Sequence, residues 1–444
     1  MRLNELHQLF SYPHVHTVGE GIKQVRGRDT GQWSAIAFVD HKLPRDTLSL
    51  SDIIPLTIRD EHGRPIVTDV VEKGRYYFLQ GSGPTPSAPQ HRVKVRPVVA
   101  GISTSVYSRP GTGTICSLQV RDIPSGRRVG LSNNHVWAAV NGVIPGTLEQ
   151  QPGVVDQQAT PDLEIGKLLR YVPLKLGPIP SDPSGAPPQN QWNYCDVALM
   201  DFILADGQYA YETLELGNIP GTKVITPGDI GLPVEQRACV TSSRTSGLPS
   251  THPVAVNISS WVGYSDTLAG FFVNNVMTPD NSVQPGDSGS PLIWLNGKLL
   301  AGLTFAGTQS GSGLHNSIDQ VLEKGQLEYL AGPGPGQGKK YGPAAATARY
   351  IVSAEGTPNA EIILTLNNSD FLPGEAVICD GQLRDIDTKN GLPSRFLTWE
   401  DANIAMSPSE TGSDVTDADG RFTIRFPAGI AGYHVLTVKF AGDP

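Results

Sequence analysis

The sequence predicts a turn-rich, mainly β chain of several domains, and three observations carry that reading. Glycine and proline are abundant, 49 and 36 among 444 residues, and these are the residues that punctuate short strands with turns. Segments of alternating apolar and polar residues recur along the chain, the pattern of half-buried strands. Two stretches rich in Pro, Gly and small residues interrupt it, GSGPTPSAPQ from Gly81 to Gln90 and AGPGPGQGKKYGPAAATA from Ala331 to Ala348. A chain of this length suits about three domains. The expected division is a small module over 1–80, a linker over 81–94, a central domain over 95–330, a linker over 331–348 and a last domain over 349–444.

In chain order, GIKQVRG, WSAIAFVDH and TDVVEKG read as strands, with LSLSDII between them as helix or loop, which makes the first module a small α/β unit. In the central domain, VGLSNNHVWAA places His135 just after an apolar run at the end of a strand, and NYCDVALMDF places Asp196 at the head of another. After the second linker, EIILTL, EAVICDGQL, RFTIRF and YHVLTVKF alternate as half-buried strands separated by the turn signals DADG and FPAG. Trp399 in that region reads as a core residue before it reads as a binding edge. DADG lacks the downstream glutamate of a calcium loop and reads as a tight turn.

The segment GDSGSP, Gly286 to Pro291, carries the chemistry. A serine hydroxyl is a poor nucleophile at neutral pH and needs a neighbouring base together with donors for a developing oxyanion. A glycine two residues before Ser288 adopts backbone angles closed to other residues, so the N–H groups of Gly286 and Ser288 can point at one spot. Asp287 then turns inward and needs a cationic or hydrogen-bonding partner. The competing reading is a plain Gly/Ser turn between strands. His135 and Asp196 complete a nucleophile, base and orienting acid, and they occur in the order His, Asp, Ser. Asp201 is the rival acid, but ValAlaLeuMet follows Asp196 directly as a buried strand.

LSNNHV, DVALM and GDSGSPLI resemble the three signature segments of the trypsin-like, chymotrypsin-fold serine peptidases, in their bacterial form. The likeness covers residues 95 to 330, with LLAGLTFAGTQSG resembling the strand that lines the substrate cleft and SIDQVLEKGQLEYL the closing helix. It implies a double six-stranded β-barrel, preceded by the small α/β module. It also implies a triad in which Ser288 attacks the scissile carbonyl, His135 is base and then acid, and Asp196 fixes the imidazole. Gly286 and Ser288 are implied as the oxyanion hole. The last domain resembles a bacterial immunoglobulin-like β-sandwich, a type that binds or spaces, so a protein partner is expected there if anywhere.

The same likeness places the pocket floor six residues before the nucleophile, at Ser282 with Val283 next. No aspartate stands there, which argues against a preference for Arg or Lys, although Asp280 is near in sequence. Phe305, Ala306 and Gly307 are implied as the cleft wall. His315 falls in the pocket-lining region, where it either favours an acidic side chain or simply packs. The domain enters through VKVRPVVAGIS, with Pro97 after Arg96, so activation by a freed N-terminus is not expected and Asp287 should find an internal partner.

The remaining features exclude rather than assign. A net charge of −9 and a pI near 5.6 give no electrostatic reason to expect nucleic acid. Cys116, Cys195, Cys239 and Cys379 are widely spaced with no CxxC pair, and the histidines lack metal-ligand spacing, so neither a metal nor a cofactor is expected. Cys195, beside Asp196, reads as a buried small hydrophobe before it reads as a nucleophile. No apolar stretch approaches a membrane span and the start lacks a secretory core, which makes the cytosol the default compartment and the extracellular space the alternative. Two functions compete: an endopeptidase acting on a protein or peptide substrate, with flanking modules that regulate or select, and a catalytically silent binding or scaffold protein on the same fold. The complete His, Asp, Ser set favours the first.

Overall fold

The computed structural model describes residues 3–25, 28–79, 89–109, 111–157, 162–180, 185–205, 207–330, 348–355, 360–366, 370–371, 376–403, 410–427 and 432–440. The expected linkers fall mostly on 81–88 and 331–347, which lie outside the described residues. The chain divides into two compact units, Met1–Asp122 with Arg127–Lys339, and Ile123–Gly126 with Lys340–Pro444.

The first unit opens with a short helix, α1 (Leu3–His7), and a long antiparallel hairpin of β1 (Val15–Val25) and β2 (Arg28–Val39). β3 (Pro65–Glu72) runs parallel to β2, and β4 (Tyr76–Phe78) follows. Next come β5 (Ser103–Val106), β6 (Ser117–Asp122), β7 (Arg128–Ser132), the one-turn helix α2 (Asn134–Trp137), β8 (Leu148–Gln150), β9 (Glu164–Tyr171) and β10 (Ala198–Phe202). The later half holds β11 (Cys239–Thr241), β12 (Ala255–Gly263), β13 (Leu268–Met277), β14 (Pro291–Trp294), β15 (Leu299–Gly307), β16 (Gly313–Ser317), helix α3 (Ile318–Lys324) and β17 (Leu327–Tyr329).

Two sheets organise this unit. One has eight strands among the described residues, ordered β17-β6-β7-β10-β9-β8-β5 and ending on Gly113–Thr114. The other has fifteen strands among the described residues, and its main path runs from Ser250–Thr251 through β11-β14-β15-β16-β13-β12-β1-β2-β3 to Thr57–Arg59. Leu131 and Leu199 of the first sheet, with Val197 just before β10, pack with Ile293 and Leu303 of the second and with Ile318 and Val321 of its helix, so the sheets share a core. Burying an aliphatic side chain of this size contributes about 1.5–3 kcal/mol.

The strand count departs from two six-stranded barrels because the N-terminal residues join the second sheet. β1 pairs antiparallel with β12, from Thr17↔Ser260 to Gly21↔Ala255, and covers an edge that would otherwise present open backbone groups. A Cβ at Gly19 would stand 2.2 Å from the Ile258 Cδ1, so glycine there lets the two strands approach. Leu6, Leu9, Phe10 and Val18 share a buried cluster with Trp192, Phe271 and Val273. The segment expected as a separate α/β module therefore supplies strands and core to the sheet that carries Ser288.

The second unit contains β18 (Ala348–Glu355), β19 (Ala360–Leu366), β20 (Ala376–Asp385), β21 (Phe396–Asn403), β22 (Glu410–Val415), β23 (Arg421–Pro427) and β24 (Gly432–Lys439). They form a five-stranded sheet, in which Asp370–Phe371 flanks β18-β24-β21-β22, and a three-stranded sheet of β19-β20-β23. Val377, Cys379, Leu397, Ile424, Leu436 and Val438 fill the core between them. Trp399 stacks on Phe426 at 5.0 Å between ring centres, which favours its core reading. DADG is a turn closed on itself: the Asp417 carboxylate accepts from the Asp419 and Arg421 N–H groups, both at 2.8 Å.

Candidate active site

The pairing of β7 with β10 places the first two candidates. Ser132 lies opposite Ala198, so α2, which continues β7, sits against the residues that lead into β10. His135 and Asp196 are both buried, and the imidazole Nδ1 meets Asp196 Oδ2 at 2.5 Å. The carboxylate is held from other directions as well. His135 N–H donates to its Oδ1 at 3.2 Å, while the Asp196 backbone donates to Asn316 Oδ1 and accepts from Asn133 Nδ2, both at 2.8 Å. His135 Nε2, the other ring nitrogen, is buried without a hydrogen-bond partner among the described residues. Nδ1 facing a carboxylate is the arrangement that leaves Nε2 free to accept a proton.

Ser288 stands at the tip of the turn before β14. Gly286 has φ of +99°, and a Cβ there would meet Thr245 Oγ1 at 2.4 Å and Arg244 Nη1 at 2.5 Å. Only glycine suits that position. The Ser288 carbonyl accepts from Thr114 N–H at 2.7 Å, and Gly289 N–H donates to Thr304 O at 2.9 Å, which fixes the turn between both sheets. The Ser288 hydroxyl donates to Phe305 O at 3.3 Å.

Asp287 finds the internal partner expected of it, and that partner is not a cation. Its carboxylate accepts from Thr245 N–H at 3.2 Å, Ser246 N–H at 3.0 Å, Gln284 N–H at 2.8 Å and the Ser246 hydroxyl at 2.5 Å. Burial pushes its pKa up, and these donors work against that rise. The nearby Arg244 guanidinium lies on Asp156 instead, which also receives Arg92 Nε at 2.8 Å and the Ser103 hydroxyl at 2.7 Å. Arg244 N–H donates to Thr114 Oγ1, so this buried ion pair braces the turn from behind.

No family model matches this chain, and no curated protein matches it. Among solved structures it is similar to the crystal structure of tobacco vein mottling virus protease at 11% identity, with a TM-score of 0.22 over 48% of this chain and 75% of that one.

The remaining candidates separate clearly. Ser282 is buried and shares a 2.7 Å hydroxyl contact with Thr251, and Val283 is buried beside Gly307 and Gly313. His315 is fully buried, with Thr304 Oγ1 on Nδ1 at 2.9 Å and Thr278 Oγ1 on Nε2 at 3.0 Å. Burial lowers its pKa to about 3, so the ring is neutral. That placement gives it no charge to offer an acidic side chain. Asp280 pairs with Lys73 and the Ser310 hydroxyl, each at 2.7 Å, rather than turning into the pocket. Asp201 pairs with Arg127 at 2.5 Å, away from His135. Burial pushes the Cys195 thiol up, as befits an inert core residue.

Phe305, Ala306 and Gly307 of β15 do not face an open cleft. β4 lies along them antiparallel, with Phe78 opposite Ala306 and Tyr77 opposite Gly307, and pairs parallel with β12 on its other side. The ladder continues past the strand: Leu79 N–H donates to Phe305 O at 3.3 Å, and Gly286 N–H donates to Leu79 O at 2.8 Å. The Phe78 ring rests 4.8 Å from the His135 ring. Nothing in the sequence singled out Tyr76 to Leu79, since a short aromatic run before a linker reads as any strand.

Proposed function

We propose that the chain is a serine endopeptidase working through His135, Asp196 and Ser288. The observation that carries this reading is the buried His135–Asp196 pair, whose ring is held through Nδ1 while Nε2 has no partner. In the proposed reaction Nε2 takes the Ser288 hydroxyl proton as the oxygen adds to a peptide carbonyl, and Asp196 stabilises the imidazolium. The N–H groups of Gly286 and Ser288 receive the oxyanion. Nε2 then protonates the leaving amine, and water hydrolyses the acyl-enzyme. Pocket residues Ser282 and Val283 carry no charge, which suits an uncharged side chain before the cut. The second unit, read as an immunoglobulin-like sandwich, would bind or space.

The second reading, a silent scaffold, is favoured by one observation: the Ser288 hydroxyl rests on Phe305 O rather than on His135. Rotation about one side-chain bond redirects it. Ser288→Ala should lower peptide cleavage by several orders of magnitude without unfolding the protein. Cleavage by the purified variant at the wild-type rate would overturn the mechanism.

A further inference from the structure

We infer that the chain is its own substrate, and that Ser288 cuts the bond between Leu79 and Gln80. The inference rests on the peptidase reading and adds to it a specific bond. Four features of Tyr76 to Leu79 are those of a bound substrate. Its backbone runs antiparallel to β15, with Tyr77 and Phe78 opposite Gly307 and Ala306. The Leu79 N–H is held by Phe305 O, the carbonyl that also accepts from the Ser288 hydroxyl. The Leu79 carbonyl oxygen lies 2.8 Å from Gly286 N, the donor assigned to the oxyanion. The residue is 5% exposed, and its side chain lies beside Gly307, close to Val283 and the Ser312 carbonyl. A strand added only to cover a sheet edge has no reason to end with its carbonyl on that one N–H group.

Specificity follows from the same contacts. Leucine fills a pocket walled by Val283 and Gly307, and a charged side chain there would be buried without a partner. Phe78 packs on the His135 ring and Tyr77 lies against Gly263, where a Cβ would stand 2.7 Å from the tyrosine ring. The segment Tyr-Tyr-Phe-Leu is thus matched to the cleft at successive positions.

The chemistry balances with water as the only co-reactant. Ser288 Oγ bonds to the Leu79 carbonyl carbon and its proton passes to His135 Nε2. The C–N bond breaks and that proton leaves on the Gln80 nitrogen, giving an ester of Leu79 on Ser288. A water loses a proton to His135, attacks the ester, and frees a Leu79 carboxylate while Ser288 regains its proton. The fragment ending at Leu79 stays in place, because the β1–β12 ladder and the core around Phe10 are untouched by the cut.

The test is intact-mass analysis and N-terminal sequencing of the full chain over time, beside Ser288→Ala, Leu79→Asp and Leu79→Met, with the fragments checked for co-elution. The expected result is a wild-type pair of fragments, one ending at Leu79 and one beginning at Gln80, that co-elute. Ser288→Ala stays whole even when mixed with wild type, Leu79→Asp cuts about 100-fold more slowly or not at all, and Leu79→Met still cuts. A wild-type chain that stays whole yet hydrolyses an added Tyr-Tyr-Phe-Leu ester at Ser288 overturns self-cleavage and leaves the peptidase reading standing. A chain that stays whole and is inert to the ester, in wild type and Leu79→Asp alike, overturns both. Cutting at another bond, or equal cutting in Ser288→Ala, overturns the inference as well.

Discussion

The segments on either side of the Ser288 domain are built into the molecule in opposite ways. Residues 3–79 share their core with the rest of the first unit: β1 completes the edge of β12, Phe10 and Val18 join a buried cluster with Trp192, Phe271 and Val273, and β4 lies between β12 and β15. Residues 348–440 close two sheets over their own cluster of Cys379, Leu397, Phe426 and Leu436. The difference teaches where influence over the site resides. A segment that shares a backbone ladder with the sheet that carries Ser288 is inseparable from it, whereas one with a private core is an independent folding unit.

The largest effect should come from deletion. Removing residues 1–79 uncovers the β12 edge and half of an aromatic cluster, and should yield insoluble or unfolded protein. Ending the chain at Lys339 should leave the first unit folded, with a melting temperature within a few degrees of the full chain by circular dichroism. The reverse pattern would break the comparison. A smaller effect is expected from Trp399→Ala, which removes the ring stacked on Phe426 and should cost the second unit about 2–4 kcal/mol. Hydrogen exchange should show faster opening confined to residues 348–440, and protection in β12 and β15 should stay unchanged.

The smallest effect concerns how each unit treats an acid. In the second unit Glu361 sits near the surface with Arg384 and Lys389, while Glu149 on β8 is buried with neither carboxyl oxygen partnered among the described residues. Burial raises the Glu149 pKa well above its ordinary 4.5, so the folded chain keeps a proton that the unfolded chain releases. Stability from this group is therefore complete below about pH 4.5 and is lost as pH rises toward the folded value. Glu149→Gln should match wild type in urea denaturation at pH 4 and exceed it at pH 7. An equal difference at both pH values would contradict the assignment.

The local parts of the site were legible in the sequence. GDSGSP and the residues around His135 and Asp196 are short segments whose residue types nominate a candidate site, and the structure brings His135 and Asp196 together through a single strand pair. Turn chemistry likewise announced the need for glycine at 286. Illegible were the contacts between distant segments. β4 reaches β15 across more than 220 residues, and RYYFLQ carries no pattern that distinguishes a cleft-bound strand from a sheet edge. The N-terminal strands had the right period but gave no hint of which edge they would cover. His315 was open between a pocket-lining and a packing role, and the hydroxyls of Thr278 and Thr304, which occupy its ring nitrogens, fit the packing one; those partners are brought to it only by the fold.

The anchoring of β4 by β1 to β3 has a kinetic meaning. On the proposed function, a strand held beside Ser288 by its own fold competes with any incoming peptide as an intramolecular ligand, at an effective concentration of about a millimolar or more. Its grip does not weaken on dilution. Weak, unstructured peptides would be screened out at ordinary cellular levels, and entry would fall to partners able to displace Tyr77 and Phe78 from the β15 ladder.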